Sequence, residues 1–263
     1  MLISSRMKSP LAFFLLPALL LAACSPKAPP TINALSGMMA DGGVDTDDNL
    51  NPVLTTGAWS GGAGTVSLEL PRNSDEPAVV LASAPLSVDG KFSFAKLPAP
   101  AASDLTAISD ENLPENCTGE LKYSDPAAKG NGLAVMVKTE KTSGEARQET
   151  VDTATKTVKF STLFYVDRNI KITGTQTCTQ PTETATFIYT NDNNVQLYKG
   201  WNTVVLSFQI TVTPATSTTP ATVTSKTSAR NGDLGAAKWY VSANSAQPLS
   251  LKNAAPSGLP LFR

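Results

Sequence analysis

The 263-residue chain contains no histidine. This removes Ser-His and Cys-His catalysis, and the common zinc-hydrolase sites, from the chemistry it can run. Ser93-Phe94-Ala95-Lys96 has the S-x-x-K spacing of penicillin-recognising enzymes, where serine and lysine share one helix face. Here Phe92 and Phe94 alternate as in a strand, which sends Ser93 and Lys96 to opposite faces. The companion S-D-N and K-T-G motifs are absent, so the match reads as coincidence. Asp41, Asp45, Asp47 and Asp48 offer hard oxygens of the kind calcium takes, and Asp45, Asp47 and Asn49 keep the opening spacing of a calcium loop. Leu50 then stands where that loop needs glycine and Thr56 where it needs glutamate, which favours a solvated acidic segment. In Lys199-Gly200-Trp201-Asn202 a turn-borne indole could stack on a sugar or grip a partner, but a plug at the end of a core is the favoured reading. Trp59 and Trp239 carry the same two readings. Asp167-Arg168, between two expected strands, could be a ligand contact, but a hairpin-capping ion pair worth under about 1 kcal/mol is the favoured reading. No catalytic set, cofactor or metal is assigned, and the chain is read as non-enzymatic.

The cysteines divide by position. Arg6 and Lys8 precede the apolar run Leu11–Leu21, which ends at Ala22-Ala23 in the order of a secretory signal. The run is shorter than the about 20 apolar residues that span a bilayer, and Pro17 interrupts it. Leu21-Ala22-Ala23-Cys24 resembles the bacterial lipobox, in which the thiol is diacylated and the preceding bond is cleaved. Cys24 is therefore the expected lipidation site and membrane contact. Ser25 follows it, where an Asp would resemble an inner-membrane retention signal, so an outer membrane is favoured in a diderm envelope. Of the three cysteines, Cys117 and Cys178 remain, and in an exported chain a disulfide between them is expected.

Cleavage leaves about 240 residues, enough for one large β domain or two small ones. Losing Arg6 and Lys8 takes the formal net charge from −1 to −3, and no basic run stands out, so nucleic acid is not an expected partner. Thr, Ser, Ala and Val dominate without a helical apolar period, which reads as all-β. Order is expected from about Trp59. Thr65–Leu70 alternates, Ala78–Ala82 is apolar, and Leu86–Phe94 reads as a hairpin with a type I′ turn at Asp89-Gly90. Leu133–Lys138, Thr157–Asp167, Ile170 onward, Thr184–Thr190, Asn202–Thr213 and Lys238–Ser242 follow as strands. Asn191–Asn194 is a turn signal. Thr211–Ser228 has a stalk-like composition but reads as a hairpin around a Pro-containing loop. The resulting expectation is an antiparallel β-sandwich architecture, a small sandwich followed by a larger disulfide-stapled one. Its parts are a signal peptide at 1–23, a lipidated cysteine and flexible tether at 24–56, a small β unit at 57–100, a larger sandwich at 101–250 and a tail at 251–263.

Gly57-Ala58-Trp59 with Gly61–Gly64, then Val88-Asp89-Gly90-Lys91-Phe92-Ser93-Phe94 ending at Leu97-Pro98, resembles the start of uncharacterised deinococcal-type cell-envelope lipoproteins. Asn116-Cys117-Thr118-Gly119, Tyr165-Val166-Asp167-Arg168, Ile172-Thr173-Gly174-Thr175 to Cys178, and Lys199-Gly200-Trp201-Asn202 extend that resemblance over roughly residues 57–205. It implies an envelope lipoprotein with paired cysteines and brings no activity. The unit at 57–100 also resembles small β-sandwiches that accompany surface enzymes and adhesins. The function expected is that of an exported, lipid-anchored cell-envelope protein with a binding or structural role, its partner an envelope polymer or another envelope protein. The alternative is carbohydrate or solute capture through Trp201 and neighbouring turns.

Overall fold

Where apolar and polar residues alternate the chain forms strands, and most of these deliver apolar side chains to one or both of two cores. The computed structural model describes residues 31–47, 51–72, 76–109, 116–217, 219–235 and 237–243. Cys24, the expected signal and the expected tail at 251–263 lie outside these residues. The first strands are β1 (Leu35–Thr46), β2 (Pro52–Gly57), β3 (Gly64–Leu70), β4 (Val79–Leu86) and β5 (Lys91–Phe94). A 3-10 turn (Ala102–Asp104) leads to β6 (Thr106–Ala107), β7 (Cys117–Tyr123), β8 (Lys129–Thr139), β9 (Ser143–Asp152) and β10 (Thr157–Val166). The last are β11 (Ile170–Pro181), β12 (Ala185–Leu197), β13 (Gly200–Thr213), β14 (Ala221–Asn231) and β15 (Trp239–Ala243). The all-β expectation holds. Two parallel pairings, β1 with β15 and β12 with β14, make the sheet mixed.

The sheet forks at β8. One edge of β8 pairs Val135–Lys138 with the start of β9, and then Gly130–Leu133 with the end of β10. The rest of β9 pairs with β10. Because strand side chains alternate between faces, β10 then serves two cores. Leu163 faces the first, with Val66, Leu68 and Leu70 of β3, Val135 and Val137 of β8, Phe92, Phe94 and Trp239. Phe160, Phe164 and Val166 face the second, with Ile170, Ile172, Val195, Leu197, Leu206 and Phe208. Around the first core, hydrogen-bonded pairing runs from β4 through β3, β8, β9, β15 and β1 to β5. It returns β5 to the side of β4, and the sheet stays open between them. Around the second core the order is β10, β13, β14, β12, β11, β7.

Several expectations are corrected here. Leu35–Thr46 and most of Pro52–Gly57, expected within the tether at 24–56, form β1 and β2; Leu35 and Met39 reach the first core from alternate positions with Gly37 between them. The expected boundary near residue 100 is crossed by the β3–β8 ladder, so residues from both sides share one core. The Asp89-Gly90 turn is not type I′, since that form needs positive φ at both residues and only Gly90 has it, at 82°. Gly90 donates to Ser87 O, Ser87 N–H donates to Lys91 O, and β5 then ladders with β1 instead of β4. Asn191–Asn194 is no turn. β12 runs straight through it, because β11 and β14 satisfy its backbone on both edges. Asp192 is held there by the Arg230 guanidinium at 2.6 Å. The hairpin at Thr211–Ser228 is present as β13–β14.

Cys117 and Cys178 stand opposite each other on β7 and β11 and form the expected disulfide. It staples the edge strand β7 to the sheet. Non-reducing peptide mapping should recover the two cysteine peptides as one linked species. Recovering both alkylated before reduction would contradict the staple.

Candidate functional site

The residues singled out as ligand contacts are occupied by structural work. Trp201 is 4% exposed. Its Nε1 donates to Pro98 O at 2.9 Å, and its ring meets Tyr165 edge-to-face at 5.2 Å. Trp201 is thus a core plug, not a turn-borne platform, because the turn before it is closed from within. The Asn202 side chain accepts from Tyr198 N–H at 2.8 Å and donates to Tyr198 O and Gly200 O. Asp167 accepts Lys129 N–H at 2.9 Å and pairs with Arg168 at 3.0 Å. Burial pushes the Asp167 carboxyl up, but Arg168 and the Lys129 N–H outweigh it and the net shift is down. The pair closes the β10–β11 turn onto β8 and presents no convergent site. Trp239 is 5% exposed and packs edge-to-face on Phe92; Trp59 is half-buried with Nε1 on Gly62 O. Of the acidic cluster, Asp41 accepts Ser60 N–H, Asp45 accepts Thr46 N–H and Asp47 accepts Asn51 N–H. Asp48 lies outside the described residues.

Two surfaces remain. The first is an open groove of about 970 Å³ over β1 and β5, between the β4–β5 turn and the segment before β15. Ser36, Met38, Ser87, Lys91, Ser93 and Lys238 line it. Its polar wall is largely self-satisfied: Lys91 and the Ser87 hydroxyl both bond the Asp89 carboxylate and hold it down to about 2. The electrostatic pull left for a ligand is less than two lysines would suggest.

The second surface is the far end of β11–β14. The chain enters the described structure beside the start of β13, where Ile32 N–H donates to Trp201 O at 3.1 Å. At 3.4 Å per residue, β13 carries Val212 roughly 35 Å from Trp201. The second core ends before that point, since Phe208 is buried whereas Ile210 is half-buried and Val212 is 47% exposed. Register then assembles one apolar face across three strands. Phe187 lies beside Val223, which lies beside Val212; Tyr189 lies beside Ser225, which lies beside Ile210. Phe187 and Tyr189 are half-buried, with ring centroids 6.3 Å apart and planes within 10°. Gln180 and Cys178 flank them on β11. The opposite face of these strands is rich in hydroxyls, with Thr177 and Thr190 in contact at 3.2 Å.

This shelf can offer two parallel ring faces bordered by the exposed Gln180 amide. The i, i+2 spacing of Phe187 and Tyr189 was visible in the sequence. That their face outruns the core depends on a parallel register, which no local pattern reports. Comparison of the chain with family models, with curated proteins and with solved structures finds no match.

Proposed function

We propose that this is an exported, lipid-anchored cell-envelope protein that binds envelope polysaccharide without catalysis, at the Phe187–Tyr189 shelf. The observation carrying this reading is the separation of the two ends of β13. The chain arrives at the Gly200 end, next to Trp201, and the half-buried aromatic pair sits at the other. A lipid on Cys24, joined through residues 25–30, then leaves the shelf facing away from the membrane. Parallel aromatic faces suit the C–H face of a sugar ring, and the exposed Gln180 amide and the Tyr189 hydroxyl suit its hydroxyls. The missing histidine supports a non-enzymatic role. Carbohydrate capture, the alternative drawn from the sequence, thus merges with the polymer-binding reading, but with the strand-borne Phe187 and Tyr189 in place of Trp201.

Co-sedimentation with insoluble envelope polysaccharide tests this. Phe187→Ala with Tyr189→Ala should weaken binding by at least about fivefold, taking roughly 0.5–1.5 kcal/mol for each ring contact. Unchanged co-sedimentation of the double variant would overturn the shelf as the binding site.

A further inference from the structure

We propose, taking the Phe187–Tyr189 shelf as the binding site, that the polysaccharide held there is uncharged and that the shelf turns away chains carrying carboxylate or phosphate. The five strands β7, β11, β12, β13 and β14 carry six charged side chains: Glu120, Lys122, Lys171, Asp192, Lys226 and Arg230. Strand side chains alternate between faces, and residues paired in a ladder share one. Glu120 pairs with Thr175, Thr175 with Asp192, and Asp192 with Ser228. Lys122 pairs with Thr173, and Lys226 stands between Thr190 and Gln209. Lys171 is two residues from Thr173 and Arg230 two from Ser228, so all six charges fall on the face opposite the rings.

The ring face is neutral across all five strands. One register row holds Cys117, Cys178, Tyr189, Ser225 and Ile210, and the two cysteines are tied off as a disulfide that does not titrate. The row toward the core holds Gly119, Gln176, Asn191, Thr227 and Phe208, with Gln176 and Thr227 half-buried. The row toward the tip holds Gln180, Phe187, Val223 and Val212, with Gln180 exposed. The turns at this end supply no net positive charge. Between β11 and β12 stands the exposed Glu183, and residues 214–220, between β13 and β14, include no charge. On the outer side of β13, where the Gln209 amide donates to Thr155 O, the β9–β10 turn brings one acid and one base, Asp152 and Lys156.

This placement decides between ligand classes. A sugar ring stacked on Phe187 and Tyr189 sheds water from its own surface and from theirs. A neutral hydroxyl can recover a hydrogen bond from the Gln180 or Gln176 amide. A carboxylate or phosphate brought to the same face loses hydration without meeting a cation, which costs far more than desolvating a hydroxyl. Binding without Coulomb attraction should also be nearly indifferent to salt.

Competition against co-sedimentation tests the selection. Envelope polysaccharide is solubilised and split by anion exchange into a neutral and an acidic pool, and each competes with the insoluble polymer for the full chain. The neutral pool should displace the protein at a roughly tenfold lower sugar concentration than the acidic one. Raising salt from about 0.05 to about 0.5 M should change wild-type binding by less than about twofold. Gln180→Arg, a substitution at an exposed position beside Phe187, should bring the acidic pool into competition with a salt dependence that the wild type lacks. Equal or better displacement by the acidic pool, salt-sensitive wild-type binding, or an arginine variant that still excludes the acidic pool would each overturn neutral selection. The shelf itself would survive those results if Phe187→Ala with Tyr189→Ala still abolishes sedimentation. Wild-type protein that sediments with no polysaccharide would overturn the shelf and this selection together.

Discussion

Cys24→Ser is expected to move the protein from the membrane pellet to the soluble fraction and to abolish incorporation of labelled fatty acid. The size of the effect follows from chain number. Each buried methylene contributes about 0.8 kcal/mol, so two acyl chains hold a protein where one gives marginal, reversible binding. On the proposed lipidation of Cys24, a serine hydroxyl in place of the thiol leaves neither. The run Leu11–Leu21 is too short to span a bilayer in the lipid's place, and Lys27 is the one charge between it and residue 30. The same substitution separates anchoring from binding. Soluble Cys24→Ser protein should still co-sediment with polysaccharide, since the shelf lies roughly 35 Å along β13 from where the chain arrives. Persistent membrane fractionation of the variant would count against the lipid and in favour of a surface contact made by the folded domain.

Strands whose apolar residues alternate were legible in the sequence, and strands whose inward residues are small or polar were not. β3 shows Val66, Leu68 and Leu70 at strict alternation, and all three are fully buried. β13 shows Val204, Leu206 and Phe208 the same way. β9 carries Glu145, Arg147 and Glu149 outward and a single buried alanine, Ala146, inward, so its apolar signal is almost nil; its neighbours define it. β1 hides behind Gly37, Gly42 and Gly43, and its membership in the first core comes from pairing with β5 and β15, far away in the chain. The Asn191–Asn194 stretch misleads for the same reason, because turn preference is local and the ladders on both edges of β12 are not. The candidate site follows this division. Cys117 and Cys178 could be paired by counting, whereas the turn sequence around Trp201 left a ligand platform open beside the favoured core plug. The indole's environment is set by Pro98 and Tyr165, from two other parts of the chain.

Trp201→Ala should cost about 3–5 kcal/mol of stability, the usual range for emptying a buried aromatic site. Three losses combine there. The indole leaves a cavity among first-core residues; its edge-to-face contact with Tyr165 goes; and Pro98 O loses its donor. The terms are not additive, since one collapse of the surrounding residues relieves part of each. Trp201→Phe separates them: most of the ring volume stays, the donor is lost, and the cost should fall to roughly 1–2 kcal/mol. Urea unfolding followed by circular dichroism reads both, with an unchanged m-value expected if the native fold is kept. Polysaccharide binding by Trp201→Phe should match the wild type, because the indole lies at the opposite end of β13 from Phe187 and Tyr189. An alanine variant that unfolds at the wild-type urea concentration yet loses binding would return Trp201 to the ligand. Loss of stability with binding intact places its work in the core, holding the start of β13 against the segment that leads back to Cys24.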